Sequence, residues 1–169
     1  MKKLILPLFL AAGTLSCKKE QHFTPAEKAA ATIYTKGQSF MMKDQNNDTI
    51  TITVSDVLNQ KIVMEGEIDR TYYEEIATIF TASNKYMQIG SGAMEISSLS
   101  GGKYASFDFT INNTTYHAND LLIDGSDTAT INGDFYEGIG SKAGHCFSRK
   151  KGILRLYAGA GYDTYDLVK

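Results

Sequence analysis

Cys146, His117 and His145 are the residues of this 169-residue chain that could support nucleophilic catalysis. A thiol needs a nearby base to become a nucleophile, and the members of a catalytic triad need not be neighbours in sequence. His145 and Cys146 are adjacent, so their side chains would point to opposite faces of a strand. A hydrolase based on Cys146 is one alternative, and we expect Cys146 instead to be a small buried hydrophobe.

Acidic residues between positions 65 and 75 are a second source of chemistry, because glycoside hydrolysis uses a pair of carboxylates. The candidates are Glu65, Glu67, Asp69, Glu74 and Glu75, and their spacing selects no particular pair. The serines form no Gly-x-Ser-x-Gly elbow, and the glycine-rich segments lack the lysine of a P-loop. A hydrolase with scattered acidic residues stays an alternative. The lack of a catalytic motif in the sequence favours a protein that is not an enzyme.

The alternation of Asp44, Asn46 and Asp48 imitates the first half of a calcium loop. Thr49 and Ser55 stand where an EF-hand needs glycine and a bidentate glutamate. Asx residues are common in hairpin turns, so we interpret the segment as a turn. No histidine or cysteine spacing fits zinc, and we expect neither a metal nor a cofactor.

Aromatic residues are the more promising recognition chemistry, since the chain has 10 Tyr and 8 Phe but no Trp. Tyr136, Tyr157, Tyr162 and Tyr165 lie near expected turns, where their rings could line a cavity mouth. These four tyrosines are the candidate ligand or recognition surface. A formal net charge of −2 argues against nucleic acid as the partner.

The first residues, MKKLILPLFLAAGTLS, have the pattern of a secretory signal: two lysines, a short apolar run and small residues. The apolar run is too short to cross a bilayer as a helix, which takes roughly 20 residues. The segment 14–17 (TLSC) that follows resembles a bacterial lipobox, in which signal peptidase II cleaves before a lipidated cysteine. The pattern predicts cleavage after Ser16 and a lipid anchor on Cys17.

Both ends of the chain resemble small lipoproteins of the Bacteroidota (Flavobacterium and Bacteroides types). At the N-terminus the resemblance lies in the lipobox and the residues CKKE; near the C-terminus it lies in residues 147–156 (FSRKKGILRL), the turn 159–161 and residues 165–167. Such proteins are mostly uncharacterised, so the resemblance implies a cellular location and no activity. It implies an acylated, palmitate-bearing Cys17 at the outer membrane, on the periplasmic or the cell-surface face.

Two triplets resemble the Asp-Ser/Thr-apolar acceptor of periplasmic O-glycosylation in that phylum. They begin at Asp48 and Asp127 and make Thr49 and Thr128 candidate O-glycosylation sites. Such a site requires an accessible hydroxyl.

The elements that must position these residues are mainly strands. Thr24-Pro25-Ala26-Glu27 has the form of a capping box and predicts a short helix over 25–33. Alternation over 49–54 and 106–111, and an Asn112-Asn113 turn, predict antiparallel hairpins. Further strands are expected at 39–43, 61–65, 85–89, 94–97, 114–117, 128–131, 152–157 and 162–168; residues 72–80 fit either a helix or a strand, and we favour the strand.

The predicted fold is therefore all-β, an antiparallel meander that forms a barrel or a two-sheet sandwich. The expected organisation is a signal peptide over 1–16, a lipidated tether with a short helix over 17–31, and one β-domain over 32–169. The leading hypothesis is a lipid-anchored, non-enzymatic binding or interaction module whose partner is an envelope protein or a glycan. The alternative with the same fold is a calycin-like carrier of a small apolar ligand or glycan.

Overall fold

The computed structural model describes residues 18–65, 70–162 and 164–168, which contain one helix and twelve strands. The helix α1 is Pro25–Ala31, and a 3-10 turn at Ser98–Ser100 follows the fifth strand. The strands are β1 Lys19–Gln21, β2 Ser39–Lys43, β3 Thr49–Glu65, β4 Arg70–Ser83, β5 Gln88–Ser97, β6 Tyr104–Ile111, β7 Thr114–Leu122, β8 Asp127–Ile131, β9 Asp134–Lys142, β10 His145–Ser148, β11 Gly152–Tyr157 and β12 Thr164–Leu167.

Eleven of these strands form one antiparallel sheet, in the order β7-β6-β5-β4-β3-β2-β12-β11-β10-β9-β8. The sheet curls into a half-barrel, and β1 adds to it in parallel with β4. The predicted all-β antiparallel class is confirmed: one curled sheet forms a half-barrel, which fits the expected antiparallel barrel or sandwich. Most neighbours are consecutive hairpins, but β12 lies between β2 and β11 and joins distant parts of the chain.

The two ends of the curled sheet approach each other where β7 meets β9. A Cβ atom built on Gly140 would lie 1.5 Å from the Leu122 carbonyl oxygen, and one built on Gly125 would lie 1.9 Å from the Ile139 oxygen. Only glycine allows such a close approach of two backbones. The glycines of this region therefore let the half-barrel curl back on itself.

The strict alternation at the start of β3 produces its buried face, with Ile50, Ile52 and Val54 pointing into the core. A bulge at Ser55 then shifts the register between Val54 and Asp56. The sequence predicted a separate strand at 61–65, but β3 runs on unbroken to Glu65. The reason is that β4 pairs with it along nearly its whole length.

The β6–β7 hairpin turns at Asn112 and Asn113, as their sequence predicts. Both have positive φ angles, of 49° and 64°. Asparagine tolerates this left-handed conformation better than most residues, and it suits a two-residue turn whose twist matches the strands.

The main core fills the concave side of the sheet with aromatic and branched side chains. Phe80, Phe107 and Phe109 are at most 2% exposed, and the Phe80 and Phe109 rings lie 5.1 Å apart. A second, smaller core contains Cys146, Ile131, Ile139, Leu154 and Leu167. It packs the β8–β9 hairpin against the strands β10 to β12.

The segment before the β-domain is packed onto the sheet. The capping box is present, with the Thr24 N–H donating to Glu27 Oε2 at 2.8 Å and the Glu27 N–H donating to Thr24 Oγ1 at 3.2 Å. Ala31 is fully buried in the main core, which Phe23 also joins. Ser98 Oγ donates to the Gln21 carbonyl oxygen at 2.9 Å and so fastens β1.

Candidate functional site

A cleft lies at the end of the half-barrel where the β2–β3, β4–β5 and β6–β7 turns come together. Its volume is about 530 Å³. The polar residues that line it include Asp44, Asn46, Asn84, Lys85, Tyr86 and Asn112. Ligand sites in proteins are concave and contain a few polar groups on a preformed frame, and this cleft has both properties.

The first wall of the cleft is the turn over 44–48, which Asp44 holds in place. Asp44 Oδ1 accepts hydrogen bonds from the backbone N–H groups of Asn46, at 2.9 Å, and Asp48, at 2.8 Å. The Asn47 backbone has a φ of 66°. Among the described residues no three His, Cys, Asp or Glu side chains form a metal-binding group. The Asp44 carboxylate thus fixes the turn, as the sequence interpretation requires.

The second wall is the turn over 84–87, which is built in the same way. Asn84 Oδ1 accepts from the backbone N–H groups of Tyr86, at 2.8 Å, and Met87, at 2.9 Å. Tyr86 is 77% exposed, and the Lys85 ammonium lies 4.6 Å from the centre of its ring. An exposed aromatic ring is thus presented beside the cleft on a hydrogen-bonded turn.

The third wall of the cleft is the β6–β7 turn, and β12 supplies its base. Asn112 donates its backbone N–H to the Ile89 carbonyl oxygen at 3.0 Å, which ties the β6–β7 turn to β5. Tyr165 of β12 is 3% exposed, lines the cleft and packs edge-on against Tyr116 at 5.7 Å between ring centres. The cleft therefore has a rigid aromatic base and polar walls.

A second depression of about 490 Å³ shares Asp44 and Asn47 with the cleft. Its other side carries an ion pair between β11 and β12, where Arg155 Nε and Nη2 donate to the two Asp166 carboxylate oxygens at 2.5 and 2.7 Å. The hydrogen bonds to Asp166 raise the pKa of Arg155 above its ordinary value.

The four tyrosines predicted to form a recognition surface do not form one patch. Tyr165 lies in the core and lines the cleft, and Tyr157 lines the second depression. Tyr136 packs against the second core, whereas Tyr162 is 57% exposed. Sequence analysis missed Tyr86, because it assigned 85–89 to a strand. The available signal was Asn84, an Asx residue suited to holding a turn.

The remaining predicted modification sites fall in different places. Thr49 is exposed at the start of β3 and lines the cleft, and Thr128 is exposed on β8. Cys17 and the signal segment lie outside the described residues.

The fold does not bring Cys146 and the histidines into a catalytic arrangement. Cys146 is buried in the second core, and burial raises the pKa of its thiol. His145 Nδ1 accepts from the Tyr157 N–H at 3.1 Å, its ring packs edge-on against Phe107, and burial lowers its pKa. His117 pairs with Asp108 at 2.6 Å on the surface. His117 and His145 lie close together and line one depression, whereas Cys146 is buried apart from them in the second core.

Of the scattered acids, Glu67 and Asp69 lie outside the described residues; among the others, Glu75 lies beside a second carboxylate. Burial raises the pKa of Glu75, and the nearby Glu95 carboxylate raises it further. Both line a depression of about 250 Å³ with Tyr73 and Tyr104. A carboxyl with a raised pKa beside a second carboxylate is the pairing that general acid catalysis needs.

The comparisons with known proteins give no family for this chain. No family model, no curated protein and no solved structure matches it. The helices of the described part are all too short or too polar to span a membrane.

Proposed function

We propose that this protein is a non-enzymatic binding module that a lipid on Cys17 holds at the bacterial outer membrane, and that it binds a glycan in the cleft between its three turns. The observation that carries the binding proposal is the cleft itself. The signal pattern, the lipobox and the cysteine that follows support the anchor.

The chemistry of the cleft suits a ligand that carries many hydroxyl groups. Amides and carboxylates provide both donors and acceptors, which match the mixed hydrogen bonding of sugar hydroxyls. An exposed tyrosine ring can stack on the apolar face of a sugar ring while its hydroxyl stays in water. Asp44 and Asn84 hold their turns by side-chain to backbone hydrogen bonds, so the walls are formed before a ligand arrives.

The packing of the sheet bears on the carrier alternative. The concave side of the half-barrel, where a calycin-like carrier would hold an apolar ligand, is occupied by Phe80, Phe107 and Phe109. This packing favours a polar ligand at the open end over an apolar ligand inside. A carrier that held a glycan instead of an apolar ligand would use the same cleft as the proposed binding module.

The anchor is tested with two cysteine variants of the full chain, expressed in a Bacteroidota host. Mass spectrometry should find a diacylglyceryl group on the peptide that begins at Cys17 in the wild type. Cys17→Ala should abolish lipidation and release the protein from membranes. The matched control Cys146→Ala should stay lipidated, because it keeps Cys17 and the lipobox and removes only a buried thiol. An unmodified N-terminus in the wild type would overturn the anchor.

The cleft is tested on a printed array of bacterial and plant oligosaccharides with the full chain in detergent. Tyr86→Ala should reduce binding to the preferred glycan class about tenfold, the effect of losing roughly 1.4 kcal/mol of contact. Tyr162→Ala is the control, because Tyr162 is also exposed but lies outside the cleft lining. Binding to no glycan, or equal loss in both variants, would refute the proposal.

A hydrolase at the Glu75–Glu95 depression is the second candidate function, favoured by the raised pKa of Glu75. Release of reducing sugars from the same oligosaccharides distinguishes it from binding alone. Hydrolysis that disappears in Glu75→Gln but persists in Tyr86→Ala would identify that depression as a catalytic site. Intact oligosaccharides after prolonged incubation would exclude hydrolysis of these substrates.

A further inference from the structure

The outer edge of β3 is open over most of its length. Within the described part of the chain, β2 covers β3 only as far as Thr53, and the last backbone bonds on that side join Val54 to Gly37 and Gln38. From Ser55 to Glu65 the strand pairs with β4 alone. A long open edge is a template for another strand, and natural proteins usually guard such edges.

Three apolar side chains on this edge are exposed, whereas Val57 and Ile62 are half-buried. Leu58, Val63 and Met64 are 40%, 46% and 49% exposed. Exposed large hydrophobics on an open edge are typical of a pairing surface.

The charges that would guard the edge are held by other parts of the same chain. The Lys61 ammonium lies 3.4 Å from Glu20 Oε1 and 4.8 Å from the centre of the Tyr72 ring, so it reaches back across β4. Asp56 pairs with Lys36 at 3.3 Å. These contacts reduce the repulsion that a second strand would meet.

The residues on either side of Gln60 are complementary when two copies of this edge are placed antiparallel with their Gln60 residues opposite each other. In an antiparallel pair of two copies centred there, Val57 faces Val63 and Leu58 faces Ile62. Asn59 faces Lys61, and no two like charges stand directly opposite each other. We propose that two copies of this chain pair through the open edge of β3, in this register, as a two-fold symmetric dimer.

The backbone geometry fits the register. The Val57 N–H donates to its neighbouring Asp56 carboxylate at 3.0 Å, so it points away from β4, and in the dimer it would exchange this acceptor for the Val63 carbonyl oxygen of the second copy. Backbone direction alternates along a strand, which places Gln60 at a non-hydrogen-bonded position of the dimer, where facing Cα atoms are about 4.5 Å apart. Two cysteines at such a site can form a disulfide.

The test is oxidative cross-linking of the full-length chain in membranes. Gln60→Cys should give a covalent dimer on treatment with copper phenanthroline. Met87→Cys is the control, because Met87 is 66% exposed on the β4–β5 turn, far along the chain from this edge. An absence of cross-linking at Gln60, or equal cross-linking at both sites, would overturn the proposal.

The register is tested in the Gln60→Cys background with two further changes. Leu58→Lys should reduce cross-linking about tenfold, because each lysine then faces an apolar Ile62. Ile62→Glu should do the same, and the double variant should restore cross-linking because Lys and Glu face each other twice. Circular dichroism and the urea midpoint of each variant show whether it is folded. Failure of the double variant to recover, with the fold intact, would refute this register. The outcome is independent of glycan binding.

Discussion

Replacing Tyr34 by phenylalanine removes one hydroxyl from the main core and should destabilise the protein. Tyr34 is 1% exposed, and its hydroxyl accepts a hydrogen bond from the Ile153 N–H at 2.6 Å. The Tyr34 ring stacks near Phe40 and meets Phe80 edge-on, and both contacts survive the change. The Ile153 N–H would be left buried and without its acceptor, which costs roughly 1–3 kcal/mol.

Urea denaturation, followed by circular dichroism, measures this loss. The midpoint should fall at an unchanged slope, and the melting temperature should drop by about 2–4 °C for each kcal/mol lost. Tyr162→Phe is the control, since Tyr162 is 57% exposed and should leave the midpoint unchanged. A Tyr34→Phe midpoint equal to the wild type would refute the reasoning, because the lone N–H would then carry no penalty.

The same variant gives a pH test with a defined sign. Burial raises the pKa of Tyr34 above its ordinary value, so the folded state resists loss of the phenolic proton. The contribution of Tyr34 to stability is thus fully present below about pH 10 and is lost as the pH rises further. The wild type should lose stability above that pH faster than Tyr34→Phe, and parallel curves would contradict the assignment.

Three further changes test separate parts of the fold. Asp166→Asn removes one partner of Arg155 and should cost about 1 kcal/mol in urea denaturation, with a smaller difference in high salt, since both side chains are partly exposed; equal stability at low salt would contradict this. Thr24→Ala should lower stability by roughly 0.5–2 kcal/mol through loss of the capping box, whereas Thr24→Ser should not. Cys146 should react with iodoacetamide only as fast as the protein unfolds, and rapid labelling of the native state would contradict its burial.

Local signals in the sequence predicted the local structure well. Thr24 and Glu27 indicated the cap of α1, and Asn112 and Asn113 indicated the β6–β7 turn, because these effects depend on neighbouring residues alone. The strands β1, β9 and β10 were missed. Gly140 lies inside β9, where glycine usually weakens a strand, but here the close approach of Leu122 requires it.

Long-range pairing accounts for the rest of what sequence analysis did not predict. Tyr165 reaches the cleft because β12 inserts beside β2, and no local pattern near Tyr165 specifies that neighbour. Tyr86 was assigned to a strand because its apolar neighbours resemble one, whereas Asn84 turns the chain there. The cleft depends on which turns the sheet brings to one end, and sheet order is decided by contacts across the whole chain.

The position of β12 has a consequence for the order in which the protein can be completed during synthesis. The strands from β2 to β7 and those from β8 to β11 are made earlier, yet β12 is the strand that pairs with both groups. Until Thr164–Leu167 emerges, the two groups lack their common neighbour, and the edges of β2 and β11 stay open. Loss of a few C-terminal residues would therefore remove the strand that hydrogen-bonds to both groups, and the groups would then meet mainly where β7 approaches β9.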